Sequence, residues 1–163
     1  MVSMMNMISW IDKKELSKKR LVFIIVTVLI MIFIFIQSSL PADLSQAESN
    51  WLIRLIPGIG EEEAVQLTFY VRKSAHFLEY TLLGASIYMA ARGRHQLLNS
   101  WLIATVYAIS DEIHQHFIPG RSCELRDICI DSLGSLSGIL MVKMLVYMIK
   151  LTITFHKERR KKI

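Results

Sequence analysis

The chain has 163 residues, of which 53% are hydrophobic and 20% charged, enough for one compact unit without a separate soluble domain. The formal charge of +5 comes from 19 Lys and Arg against 14 Asp and Glu. The basic residues flank apolar runs instead of forming an aromatic-interleaved patch, which argues against a nucleic-acid partner. Cys123 and Cys129 are too few for a disulfide framework or a four-ligand zinc site and read as core or loop filler.

Residues 1–20 form a basic segment with Lys13, Lys14, Lys18, Lys19 and Arg20, followed at once by an apolar run from Leu21 to Ile36. No small-residue cleavage pattern follows, so the run reads as a retained first membrane helix. Between Pro41 and Tyr70 the composition turns polar, yet Leu44, Ala47, Trp51, Leu52, Leu55 and Ile56 recur at helical spacing. This predicts a short amphipathic helix lying along the membrane surface, ended by Pro57-Gly58-Ile59-Gly60.

Glu61, Glu62 and Glu63 suit the first turn of a second long helix, where carboxylates complement the positive end of the macrodipole. It runs through Lys73, His76, Tyr80 and Gly84 to about Ala91. A basic turn at 92–95 precedes a third apolar segment from Leu97 to Ser110, which dissolves into Asp111 to Phe117 before the turn at Pro119-Gly120. A fourth run from about Ile128 to Ile149 carries Gly134 and Gly138 at small-xxx-small spacing, which permits close helix contact. Lys143 within it is expected to snorkel to the nearer surface.

Five Lys and Arg precede the first run, two lie in the 92–95 turn and six lie between Lys150 and Ile163. By the positive-inside rule these segments are cytoplasmic and the two intervening loops face outside. The expected fold is all-α: a polytopic bundle of about four transmembrane helices plus the interfacial helix. Residues 21–150 form the membrane domain, and 1–20 and 151–163 are basic cytoplasmic ends.

This topology gathers the ionisable residues at the outer face. Lys73, His76 and Tyr80 share one side of the second long helix, Asp111 pairs with Gln115 and Glu112 with His116 at i, i+4, and Asp127, Asp131, Gly134 and Gly138 form one stripe. Ionisable groups at membrane depth are costly, so they should pair around a wet cavity, either as a structural ion-pair network or as a site. As acid/base groups the candidates are His76, Asp111 and Glu112, with Lys73, Tyr80, Gln115, Arg121, Asp127 and Asp131 as ligand-binding residues. A divalent-metal set of His76, Glu112, His116 and Asp131 is weaker, since D-E-I-H-Q-H is not a zincin spacing, so no metal is assigned and the cofactor stays unspecified.

The segments K-S-A-H-F-L-E-Y-T-L-L-G at 73–84, S-D-E-I-H-Q-H-F-I-P-G-R at 110–121 and R-D-I-C-I-D-S-L-G at 126–134 resemble the VanZ-like family. Q-S-S-L-P-A-D-L-S at 37–45 is similar to the family's serine-rich junction. The order of Lys73, His76, Tyr80, Asp111, Glu112, Gln115, Phe117, Pro119, Gly120, Arg121, Asp127 and Gly134 carries the resemblance. Asp131 stands where members have Asp or Asn, and His114 and His116 are not carried over as functional.

The resemblance implies a multi-pass protein of the bacterial cell membrane in Gram-positive species, an envelope factor linked to resistance to teicoplanin, a lipid-tailed glycopeptide. The implied partners are membrane lipid, a lipid-linked wall precursor or the lipoglycopeptide itself, with homo-oligomerisation left open. Two alternatives stand beside this: an intramembrane enzyme acting on a lipid or lipid-linked headgroup, and a small transporter or non-catalytic assembly component.

Overall fold

A computed structural model describes residues 2–53 and 60–161. Among the described residues the chain is all-helical: α1 (Val2–Ser38), α2 (Ala42–Ile53), α3 (Glu61–Ala90), α4 (Gln96–Gln115) and α5 (Leu125–Lys161). The helices continue past the expected limits of the apolar runs. α1 begins within the basic segment and α5 carries the basic tail, because Lys, Glu and Arg are good helix formers and charge alone does not stop a helix. α4 likewise runs on through Asp111 to Gln115, since those polar residues fall on its inward face.

α3 is the central element and packs against the other four. Arg20 donates to the Ala90 carbonyl, so the start of the apolar part of α1 meets the end of α3. At the opposite end, Arg121 donates to the carbonyls of Gln37 and Leu40, just where α1 finishes. The long helices therefore alternate in direction along the chain, with α3 and α5 parallel to each other. This brings the basic 92–95 turn and Arg20 to one end and the ionisable cluster to the other.

The parallel pair meets in step. Lys73 faces Asp127, the Phe77 carbonyl faces Gly134 and the Thr81 carbonyl faces Gly138. A Cβ at Gly134 would lie 2.5 Å from the Phe77 oxygen, and one at Gly138 would collide with the Thr81 oxygen. The expected close approach at the glycine stripe is thus present, and Gly84 adds to it from α3 by lying against the Ser135 backbone.

Among the described residues two segments are long and apolar enough to cross a membrane: Ser17–Ser38, with mean hydropathy 2.9, and Leu125–Arg160, with 1.8. The other two expected crossings are helical but too polar to reach that composition. The surface of α4 is nevertheless inverted relative to a water-soluble helix. α4 buries Ser100, Ala104, Ala108, Asp111, Glu112 and Gln115 and exposes Leu98, Leu102, Ile103, Val106, Ile109 and Ile113.

The short helix predicted after the first run is α2. Leu44 and Trp51 of its expected apolar stripe are exposed, whereas Ser49 and Ile53 are buried. The side that carries Ser45, Ser49 and Ile53 therefore faces the protein, and at its edge the Thr68 hydroxyl donates to Asn50. Leu55, Ile56 and the stop at 57–59 lie outside the described residues. Lys143 is exposed, and both cysteines are free and exposed, so they are not core filler.

Candidate functional site

The ionisable cluster forms where the ends of α1 and α4 meet the outer part of α3 and the start of α5. Its framework is a set of side chains that satisfy backbone groups at chain turns. The Arg121 guanidinium donates to Leu40 O at 2.8 Å, Gln37 O at 3.0 Å and Gln115 Oε1 at 3.2 Å. It thereby ties the 116–124 loop to the carbonyls left open at the end of α1. Burial, and next the like charge of Arg72, pull this guanidinium below its ordinary value. Ala42 N–H donates to Pro119 O and closes the same junction, while Gly120 takes a left-handed conformation at φ +74°.

Glu112 has a similar role at the start of α5. Its carboxylate accepts the Glu124 backbone N–H at 2.9 Å, and its side chain is almost wholly buried. Glu124 itself accepts from the Ser122 hydroxyl and from Arg126, which together hold it below the usual carboxylate range.

Asp111 is oriented from two sides. Its Oδ2 accepts the Ser38 hydroxyl at 2.9 Å and the Gln115 amide at 3.1 Å, while Oδ1 has no hydrogen-bond partner. The Asp111–Gln115 pair expected from i, i+4 spacing is present. For Glu112 and His116 only the backbone bond forms, from His116 N–H to Glu112 O. Ser38 was not among the expected site residues; its one signal was its place in the serine-rich junction after the first apolar run.

Two adjoining clefts open beside this framework and share Arg72 and Arg121. The larger, about 190 Å³, is lined by Phe69, Lys73, Gln115, Ser122 and Asp127 among others. The smaller, about 140 Å³, is lined by Gln37, Ser45, Ser49, His76 and Glu79 among others. Lys73 pairs with Asp127, and its ammonium also lies 5.5 Å from the centre of the Phe69 ring.

Of the expected site residues, His76, Asp111 and Asp131 come together, each offering a ligand atom within 4.8 Å of the others. Lys73, Gln115, Arg121 and Asp127 line the larger cleft. Tyr80 is fully buried next to Tyr107, with ring centroids 6.2 Å apart, and lines neither cleft. Glu112 lines neither cleft as well, being held at the start of α5.

His116 is exposed at the end of α4, beside Phe117. His114 stacks on Phe35 at 4.5 Å and contacts the Ser39 hydroxyl at 3.0 Å, a packing role in line with leaving it out of the site.

The family described as VanZ/LLP1 matches residues 23–148, which contain the entire cluster and both clefts. No curated protein and no solved structure matches the chain. The family match covers most of the chain and all of the motifs that build the ionisable cluster, and the chain belongs to the VanZ-like family.

Proposed function

We propose that this is a four-crossing protein of the bacterial cell membrane whose paired clefts face outward and hold the anionic headgroup of a lipid or lipid-linked wall precursor. Through that contact it acts as an envelope factor in teicoplanin resistance. One observation carries the reading. Arg72, Lys73 and Arg121 converge on two adjoining clefts at the end of the bundle opposite Arg20 and the 92–95 turn. Lys73 is paired with Asp127, so Arg72 and Arg121, the two cations that both clefts share, are the groups that would meet an anionic headgroup there. The inverted surface of α4 supports four crossings, since exposed Leu, Ile and Val suit lipid tails and not water.

Cys123 tests the orientation. It is exposed in the loop between α4 and α5, whereas Cys129 lies on α5. A membrane-impermeant maleimide applied to intact cells should label Cys129→Ser, whose one cysteine is Cys123, and fail to label the Cys123→Ser/Cys129→Ser double variant. Labelling only after permeabilisation would invert the topology.

The function is tested by a teicoplanin susceptibility series in a Gram-positive host expressing wild type, Arg72→Gln and Gly134→Leu at matched membrane levels, with untailed vancomycin as the comparison drug. Protection against teicoplanin that falls severalfold in Arg72→Gln is the expected result. Absence of protection by wild type would sink the resistance role.

An enzymatic reading has its own support, because His76 and Asp111 sit together beside the smaller cleft in an acid/base arrangement. It predicts turnover of a lipid-linked headgroup that is abolished in Asp111→Asn, measured on purified protein with radiolabelled lipid extract.

A further inference from the structure

We propose that His76, Asp111 and Asp131 form a binding site for one divalent metal ion of the Mn²⁺ or Zn²⁺ class. The three residues come from three helices, α3, α4 and α5, and each brings a ligand atom to within 4.8 Å of the other two. Ligands around a common ion of this class lie about 3–3.6 Å apart, from metal–ligand distances of 2.0–2.2 Å. Side-chain rotation closes the difference. Inward-pointing carboxylates and imidazoles from facing helices are a usual way for a bundle to hold a metal.

The stronger observation is Asp131. It is 1% exposed, and neither of its carboxylate oxygens has a hydrogen-bond partner. Asp111 Oδ1, 3% exposed as a residue, is equally unpartnered. Three bare carboxylate oxygens beside one imidazole are costly inside a protein unless a cation compensates them. Two of the protein's own cations nearby are committed elsewhere: Lys73 to Asp127, and Arg121 to the Gln37 and Leu40 carbonyls and Gln115. Across the cluster, the acidic groups Glu79, Asp111, Glu112, Asp127 and Asp131 outnumber the basic groups Arg72, Lys73 and Arg121, which suits a cation.

The arrangement resembles a metal site in its supporting contacts as well. Asp111 is fixed through its other oxygen by Ser38 and Gln115, and hydrogen bonds of this kind orient a ligating carboxylate. His76 also lines the smaller cleft, so a coordination position on that side stays open to a bound molecule. One imidazole with two carboxylates favours Mn²⁺ or Zn²⁺ over the all-oxygen sites typical of Ca²⁺ and Mg²⁺. The metal set weighed and set aside from the sequence held His76, Glu112, His116 and Asp131; His76 and Asp131 recur here, and Asp111 stands in place of Glu112 and His116. The proposal is independent of the envelope role.

The test uses the full chain purified in detergent with any affinity tag removed, stripped with EDTA and dialysed against MnCl₂ or ZnCl₂. Elemental analysis should find about one ion per chain. The isosteric variants Asp131→Asn and Asp111→Asn should each weaken binding at least tenfold while keeping wild-type helicity and a single elution peak. Electron spin-echo spectroscopy of the Mn²⁺-loaded protein should show one imidazole nitrogen, present in His116→Gln and lost in His76→Gln. That signal is read on the wild type even where an acidic variant fails to fold. Wild type without bound ion, full occupancy in Asp131→Asn, or bound Mn²⁺ without an imidazole nitrogen would each overturn the site. In the first case Asp131 is carried as the neutral acid.

Discussion

Ser38 shows how little of a site a single residue need announce. Nothing in a serine at the end of an apolar run marks it as the donor that orients a buried carboxylate, and only its junction context singled it out. Its hydroxyl and the Gln115 amide hold Asp111 from one side, so Ser38→Ala should cost about 1–2 kcal/mol of stability in detergent, the range for hydrogen bonds within membrane bundles and to charged groups. The loss should shrink in an Asp111→Asn background; equal losses in both backgrounds would mean that the two side chains are not coupled.

Arg121 was legible as a candidate anion group from its residue type and its place among the ionisable residues, and its role as a tie between the 116–124 loop and the end of α1 was not. A guanidinium's partners depend on which carbonyls the fold leaves open, and that is a tertiary fact. Spacing grouped Tyr80 with Lys73 and His76 and Glu112 with His116, yet Tyr80 is fully buried and Glu112 is bonded to the start of α5, so neither lines a cleft.

At the level of the elements, the helical segments and the glycine stripe were readable because both depend on local period. Helix ends were less so. Apolar runs mark where a chain meets lipid, whereas α1, α4 and α5 extend beyond them for as long as good helix formers continue. The α3–α5 contact is the most constrained element pair. Gly138→Leu should separate the helices and, by overpacking, lower stability by about 3 kcal/mol or more, seen as early unfolding and aggregation in a detergent melt.

The loop glycines give an internal comparison. Gly120 is at φ +74°, with Ala42 3.0 Å from an added Cβ, so Gly120→Ala should cost about 1–2 kcal/mol. Gly60, the N-cap of α3, has an ordinary φ of −74° and nothing within 4 Å of such a Cβ, so Gly60→Ala should cost only the difference in N-cap preference, less than about 1 kcal/mol and less than at Gly120. Similar shifts at both positions would show that the Gly120 turn is not under that constraint.

For the whole molecule, composition already indicated an apolar helical bundle and the charge pattern indicated which end is basic. The number of crossings was harder to read, because α3 and α4 carry their polar residues inward, and hydropathy averages a helix around its whole circumference. α1 and α5 can each enter a bilayer unaided, whereas α3 and α4 bring Lys73, Glu79, Asp111 and Glu112 with them.

On the four-crossing reading, the first and last helices act as escorts for the middle pair. Ser38 of α1 receives Asp111, and Asp127 of α5 receives Lys73. Biosynthesis then has an order that the finished bundle conceals: the central hairpin waits, incompletely embedded, until the chain's last helix has been made. A nascent chain halted before α5 should therefore leave α3 open to protease from outside the cell, and its protection should arrive together with α5.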